Sequence, residues 1–197
     1  QGQAPTSIVV IEPHEATRKA LMQDLGVIAH IDSAPLTGPV DVVVWAVKPQ
    51  VLKPVMQALA AQVQNALHLS IAAGVTTAAM QHWLGSPRLV RAMPNTPALI
   101  GQGIAGLFAN ADVGQADRAA AAAVLQAVGQ VLWVDTEAQL DAVTALSGSG
   151  PAYVFYFLEA MQQAGQQLGL PAPQAYQMAV VTFEGVLALA VRVEETP

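Results

Sequence analysis

The sequence contains no cysteine. That excludes disulfides and thiolate metal sites, and it fits a cytoplasmic protein. Charge is scarce: 11 % of the 197 residues are Asp, Glu, Lys or Arg, where a typical domain carries about 25 %. Lys and Arg together number 8 against 14 Asp and Glu, a formal net charge of −6. A nucleic-acid partner requires a basic stripe, and none is written here. No uninterrupted apolar run approaches the roughly 20 residues of a membrane span; the best stretch, 179–193, contains Glu184 and Arg192. The start, Gln1-Gly2-Gln3-Ala4-Pro5, has neither the basic nor the apolar segment of a signal peptide. It also lacks Met, which reads as a chain that begins mid-protein. His14, His30, His68 and His82 show no metal-ligand spacing and are expected on the surface or in turns.

What is present is mostly apolar, 53 % of residues. The length allows one large domain or two small ones, with a real core. A monomer must wet its outside, so the shortage of charge implies surface lost to an interface.

Short β-branched runs alternate with amphipathic stretches over the first two thirds. Strands are expected at 7–11, 41–47, 67–71, 89–93, 104–109 and 131–134. Helices are expected at 15–25, 49–63, 76–84 and 114–128, with Gly26 stopping the first. The run at 41–47 is almost continuously apolar, as in a parallel strand covered on both faces. This alternation predicts an α/β fold, a Rossmann-like doubly wound sheet. Near Asp141 the texture changes. From 151 to 193 there is no strand signal, only two helices, 151–168 and 174–193, apolar on more than one face. Two such helices cannot bury each other fully, so an all-α dimerisation domain that packs on a partner chain is expected. The predicted domains are 1–143 and 144–197.

Three cassettes sit at strand ends: Trp45-Ala46-Val47-Lys48-Pro49, Ser70-Ile71-Ala72-Ala73-Gly74-Val75-Thr76 and Arg91-Ala92-Met93-Pro94-Asn95-Thr96-Pro97. Ligands of open α/β sheets bind beyond the carboxyl ends of the strands, so these predict one ligand edge. Lys48 reads either as an anion contact or as a snorkelling surface cation. Asn95 and Thr96 lie between prolines that stiffen their loop, and read either as site residues or as an Asx-type turn. Glu12 closes the first strand. A carboxylate there accepts hydrogen bonds from ribose hydroxyls and repels a 2′-phosphate, although Arg18 and Lys19 lie close enough in sequence to blunt that preference; the plain alternative is a solvated strand end. Gly101-Gln102-Gly103-Ile104-Ala105-Gly106 matches the dinucleotide fingerprint, but it runs into a strand instead of a helix, where the motif has no function. Ser147-Gly148-Ser149-Gly150-Pro151 reads as a tight helix start, with anion binding as the alternative.

Taken together, Ala46-Val47-Lys48-Pro49, Ala72-Ala73-Gly74-Val75-Thr76, Met93-Pro94-Asn95-Thr96-Pro97 and the run from Asp141 through Leu146-Ser147-Gly148-Ser149-Gly150-Pro151-Ala152-Tyr153 resemble the Δ1-pyrroline-5-carboxylate reductases. The resemblance implies hydride transfer from NADPH or NADH to the C=N carbon of the cyclic imine, giving L-proline. It implies a small-molecule substrate and a homodimer or larger homo-oligomer, with no nucleic-acid or membrane partner. It places Glu12, Ser33, Ala46, Val47, Lys48, Pro49, Ala72, Ala73, Asn95 and Thr96 at the cofactor, and Glu137 near the substrate, where its charge would stabilise the protonated imine. Two family parts are absent from the sequence, the first strand with its glycine-rich loop and the Ser-Pro-Gly-Gly-Thr-type loop after the second long helix. A molecule bounded by these termini is expected to be inactive. The competing readings are a related Rossmann hydroxy-acid dehydrogenase and a non-catalytic dimerising scaffold.

Overall fold

The computed structural model describes residues 3–32, 36 and 38–192, in two compact units, Gln1–Val143 and Thr144–Pro197. The first unit begins with β1 (Val9–Ile11), α1 (Glu15–Leu25) and β2 (Ile28–His30). Gly26 ends α1 at φ +67°, its N–H bonded to the Met22 carbonyl, a left-handed cap that glycine adopts without steric cost. There follow β3 (Val42–Trp45), α2 (Pro49–Val63), β4 (Leu67–Ser70), α3 (Thr77–Leu84), β5 (Leu89–Met93), β6 (Gly103–Ala109), α4 (Gln115–Gln126), β7 (Gly129–Trp133) and α5 (Gln139–Val143).

The strands form two sheets. β1 and β2 make a parallel pair, and the larger sheet runs β3-β4-β5-β6-β7. All its pairings are parallel except β5 with β6, which is antiparallel. Side-chain alternation divides the core between its two faces. Trp45 and Leu89 pack with Leu52, Met56 and Leu59 of α2 and Met80 and Leu84 of α3. Leu67, Leu69, Val90, Ala92 and Leu107 pack with Ala121 and Leu125 of α4. Helices therefore cover both faces, and the layer is Rossmann-like.

Three details differ from the sequence expectations. β2 is a strand of only three residues, too short to show a period. The reversal at β6 follows from the tight loop at 94–102, which returns the chain beside β5. His68 lies in neither a turn nor the surface: it is fully buried in β4, stacked on Trp45 with ring centroids 5.9 Å apart. Its Nδ1 accepts a hydrogen bond from Trp45 Nε1 at 3.3 Å.

The second unit is all-helical. A π-helical turn (Thr144–Gly148) leads into α6 (Gly150–Gln167), and Gly169 at φ +98° starts the turn to α7 (Ala172–Arg192). Pro151 occupies the first turn of α6, where a missing N–H is harmless. A Cβ on Gly165 would lie 2.8 Å from Ala175 Cβ, so the two helices meet at small residues. Much of their apolar surface stays outside that contact: Phe155, Tyr156, Phe157, Met178, Val181, Leu187 and Leu189 are exposed. One expectation is corrected here. α7, with 21 residues, is long and apolar enough to cross a membrane by length and composition. Its start at Ala172 lengthens the stretch judged too short from the sequence.

Candidate active site

Register decides what shares an edge. Trp45 of β3 lies opposite Ser70 of β4, and Ser70 opposite Arg91 of β5. The three strands are parallel and neighbouring, so their carboxyl ends open on one side. This brings Ala46, Val47, Lys48 and Pro49, then Ala72 and Ala73, then Asn95 and Thr96, to a common margin. Glu12 closes β1, in the separate two-stranded sheet. Ser33 lies outside the described residues.

At the first margin, Lys48 is the N-cap of α2 and Pro49 its first residue, with no side-chain cap bond. Ala46, Lys48 and Pro49 are exposed and Val47 is half-buried. At the second, the buried Ser70 Oγ accepts from the Ala72 N–H at 3.3 Å, turning the chain. Gly74 follows at φ +74°, a left-handed turn that needs glycine. Thr76 then caps α3 by accepting from the Ala79 N–H. At the third, Asn95 Oδ1 accepts from the Ile104 N–H at 2.9 Å. That bond is structural: it ties the start of the loop to β6.

Glu12 is half-buried, and its Oε1 accepts from the His14 N–H at 2.7 Å. Arg18 Nη1 donates to the carbonyls of Glu12 and Pro13 at 2.8 and 3.2 Å. The Lys19 ammonium pairs instead with Glu15 at 2.6 Å. The β1 end thus offers a carboxylate with one guanidinium beside it.

Glu137 takes a place its sequence position does not announce. Its Oε1 accepts from the Thr77 N–H and from Arg91 Nη1, both at 2.7 Å, and its Oε2 accepts from Thr77 Oγ1 at 2.8 Å. Burial raises its pKa, but the hydrogen bonds from Arg91 and Thr77 outweigh that and hold it below the usual carboxylate value. The resemblance puts this carboxylate near the substrate; in the structure it pairs with Arg91 and accepts from Thr77. Sequence reasoning missed both partners. The available signal was Arg91, a lone cation inside the apolar run Leu89–Met93, where a buried guanidinium demands an anion.

The three margins present small residues (Ala46, Ala72, Ala73), Val47, Lys48, Pro49 and a polar loop (Asn95, Thr96) along the strand ends. Among the described residues no glycine-rich strand-to-helix turn is present to hold a pyrophosphate. The Gly101–Gly106 match lies across a left-handed cap and β6 instead. Its glycines have local reasons: Gly101 takes a left-handed φ of +72°, a Cβ on Gly103 would meet Ala98 backbone at 2.9 Å, and one on Gly106 would meet Val143 at 2.7 Å.

Comparison with known proteins adds the rest. Residues 137–197 match the family model for pyrroline-5-carboxylate reductase dimerisation, and residues 1–74 match that for coenzyme F420-dependent NADP oxidoreductases. The chain is 44 % identical to the pyrroline-5-carboxylate reductase of Pseudomonas aeruginosa, covering 100 % of this chain and 73 % of that one. The solved reductase from Coxiella burnetii superposes with a TM-score of 0.91 at 38 % identity, over 99 % of this chain and 73 % of that one. The Plasmodium falciparum enzyme, solved with NADP bound, gives 0.79 at 27 % identity, over 86 % and 64 %. On this combination of a Rossmann-like layer, strand-end cassettes, helical unit and full-length likeness, the chain belongs to the pyrroline-5-carboxylate reductase family.

Proposed function

We propose that this protein reduces Δ1-pyrroline-5-carboxylate to L-proline with NAD(P)H. The observation that carries the reading is the 44 % identity to a reductase over the whole chain. The dihydronicotinamide supplies a hydride to the C=N carbon, and the protonated imine nitrogen becomes the secondary amine of proline. The protein's part is alignment of donor and acceptor. Glu12 faces the ribose end, with Arg18 beside it. Ala46, Val47, Lys48 and Pro49 line one side of the cofactor, Ala72 and Ala73 the next, and Asn95 and Thr96 the loop toward the reacting ring. The domains assigned are a dinucleotide-binding layer over 1–143 and a helical dimerisation and substrate domain over 144–197. The exposed apolar face of α6 and α7 belongs against a second copy of the chain, in a homodimer or larger homo-oligomer. A cysteine-free chain suits the cytoplasm.

The test is oxidation of NADH and NADPH, in parallel, by a protein carrying these 197 residues together with the family's glycine-rich and Ser-Pro-Gly-Gly-Thr-type loops, with Δ1-pyrroline-5-carboxylate as acceptor. Turnover with either supports the reading, and absence of turnover with both overturns it. The carboxylate of Glu12 opposes a 2′-phosphate, so NADH is the expected better donor. Glu12→Gln then raises the NADPH/NADH ratio of kcat/KM by about tenfold, the worth of one lost charge contact. An unchanged ratio places Glu12 away from the ribose.

A further inference from the structure

We propose that Glu137 is a positioning residue of the reductase site, one that holds two of the three strand-end margins in fixed relation without touching the substrate. The inference rests on the reductase reading. Its basis is where the three hydrogen bonds land.

Thr77 is the first residue of α3, and the loop that leads into it is the Ala72-Ala73-Gly74 margin. Its N–H is one of the orphan donors at a helix N-terminus. A carboxylate there is favoured both by that N–H and by the helix dipole. Arg91 lies two residues before the end of β5, directly upstream of Pro94-Asn95-Thr96. A single oxygen, Glu137 Oε1, accepts from both at 2.7 Å, and the second oxygen holds the Thr77 hydroxyl. The side chains of Arg91 and Glu137 are only 10 % and 24 % exposed, so water competes weakly for these bonds. The carboxylate thus sets the α3 start against β5, and with it the spacing of the two margins. With Oε1 shared between two donors, Oε2 on the Thr77 hydroxyl and a guanidinium offsetting its charge, the carboxylate is oriented toward the protein.

A positioning role and a substrate-contact role separate in kinetics. The experiment compares the same loop-complete parent with its Glu137→Gln and Thr77→Val variants. It measures NADPH and NADH dissociation constants by cofactor fluorescence, then KM for each cofactor and for Δ1-pyrroline-5-carboxylate. For Glu137→Gln we expect dinucleotide affinity to fall about tenfold, the worth of a charge-assisted hydrogen bond, with the imine KM held within about twofold. Thr77→Val, which keeps the ion pair, moves the same constants in the same direction by a smaller factor. The double variant is no weaker than Glu137→Gln by the product of the single effects, because both act through one clamp. Should Glu137→Gln fail to fold, Thr77→Val alone decides. A rise confined to the imine KM overturns the proposal in favour of substrate contact. Unchanged dinucleotide affinity in both variants overturns it too. A parent protein that binds dinucleotide but does not turn over the imine refutes the reductase reading alone, and the affinity comparison still decides the clamp. A parent that binds neither cofactor overturns both.

Discussion

His68 is the residue whose chemistry departs furthest from its sequence appearance. In a list of four histidines without ligand spacing it reads as incidental. In β4 it is fully buried, and burial, with the Arg88 charge adding to it, lowers its pKa from 6.5 to about 4. The sign of the consequence is fixed. Between pH 6.5 and about 4 the unfolded chain binds a proton that the folded chain refuses, so the folded state loses stability as pH falls. The contribution is intact above pH 6.5 and fully lost near 4. At about 1.4 kcal/mol per pH unit, that interval is worth about 3 kcal/mol. Urea denaturation at pH 7.5 and pH 4.5 checks it: the parent should lose most of that amount, and His68→Gln should lose correspondingly less. Equal losses would place the titration elsewhere. Glu137 teaches the same lesson from the opposite side. The family resemblance singled the residue out, but its partners sit 46 and 60 residues away in sequence, and no local pattern encodes that pairing. Asn95 was legible in position, but its bond to the Ile104 N–H, nine residues on, ties the loop to β6 and is not the local turn bond that its sequence suggests.

At the scale of elements, α2 and β5 occupy the spans their patterns predicted, because each has clear punctuation. Pro49 opens α2, and β5 is a bare apolar run closed by Pro94. β2 was unreadable because three residues carry no period. The strand β6 was read at 104–109, but its antiparallel direction was not, because strand patterning is blind to direction, which the connecting loop sets. That loop depends on close backbone approach. Gly103 and Gly129 are register partners between β6 and β7, and a Cβ on Gly129 would lie 2.0 Å from the Gly103 carbonyl oxygen. Its φ of +156° also resists a side chain. Gly129→Ala should therefore destabilise the first unit by at least about 2 kcal/mol, read as a lowered thermal midpoint. Gly114→Ala is the control, since nothing lies within 4 Å of a Cβ built there. Equal midpoints for the two variants would mean that β7 shifts to make room.

For the whole molecule, scarcity of charge was the clearest guide. The exposed aliphatic and aromatic faces of α6 and α7 account for it, and the family match over residues 137–197 names that segment a dimerisation element. Leu187 is 60 % exposed, so Leu187→Glu should leave the single chain folded while burying an unpaired charge in the assembly. Association should weaken about 100-fold or more, measured by sedimentation velocity at several concentrations. An unchanged sedimentation profile would move the interface off α7. The Glu137 clamp has one last consequence, in time instead of space. A nascent chain emerging at about 10 residues per second takes about 6 s to pass from Thr77 to Glu137. During that interval β3 and β4, and then β5, become available to pair, while the first amide of α3 and, once made, the Arg91 guanidinium await their acceptor. The margin proposed to hold the cofactor is thus set last in synthesis, and ribosome-bound chains halted before residue 137 should carry a paired sheet with an unset edge.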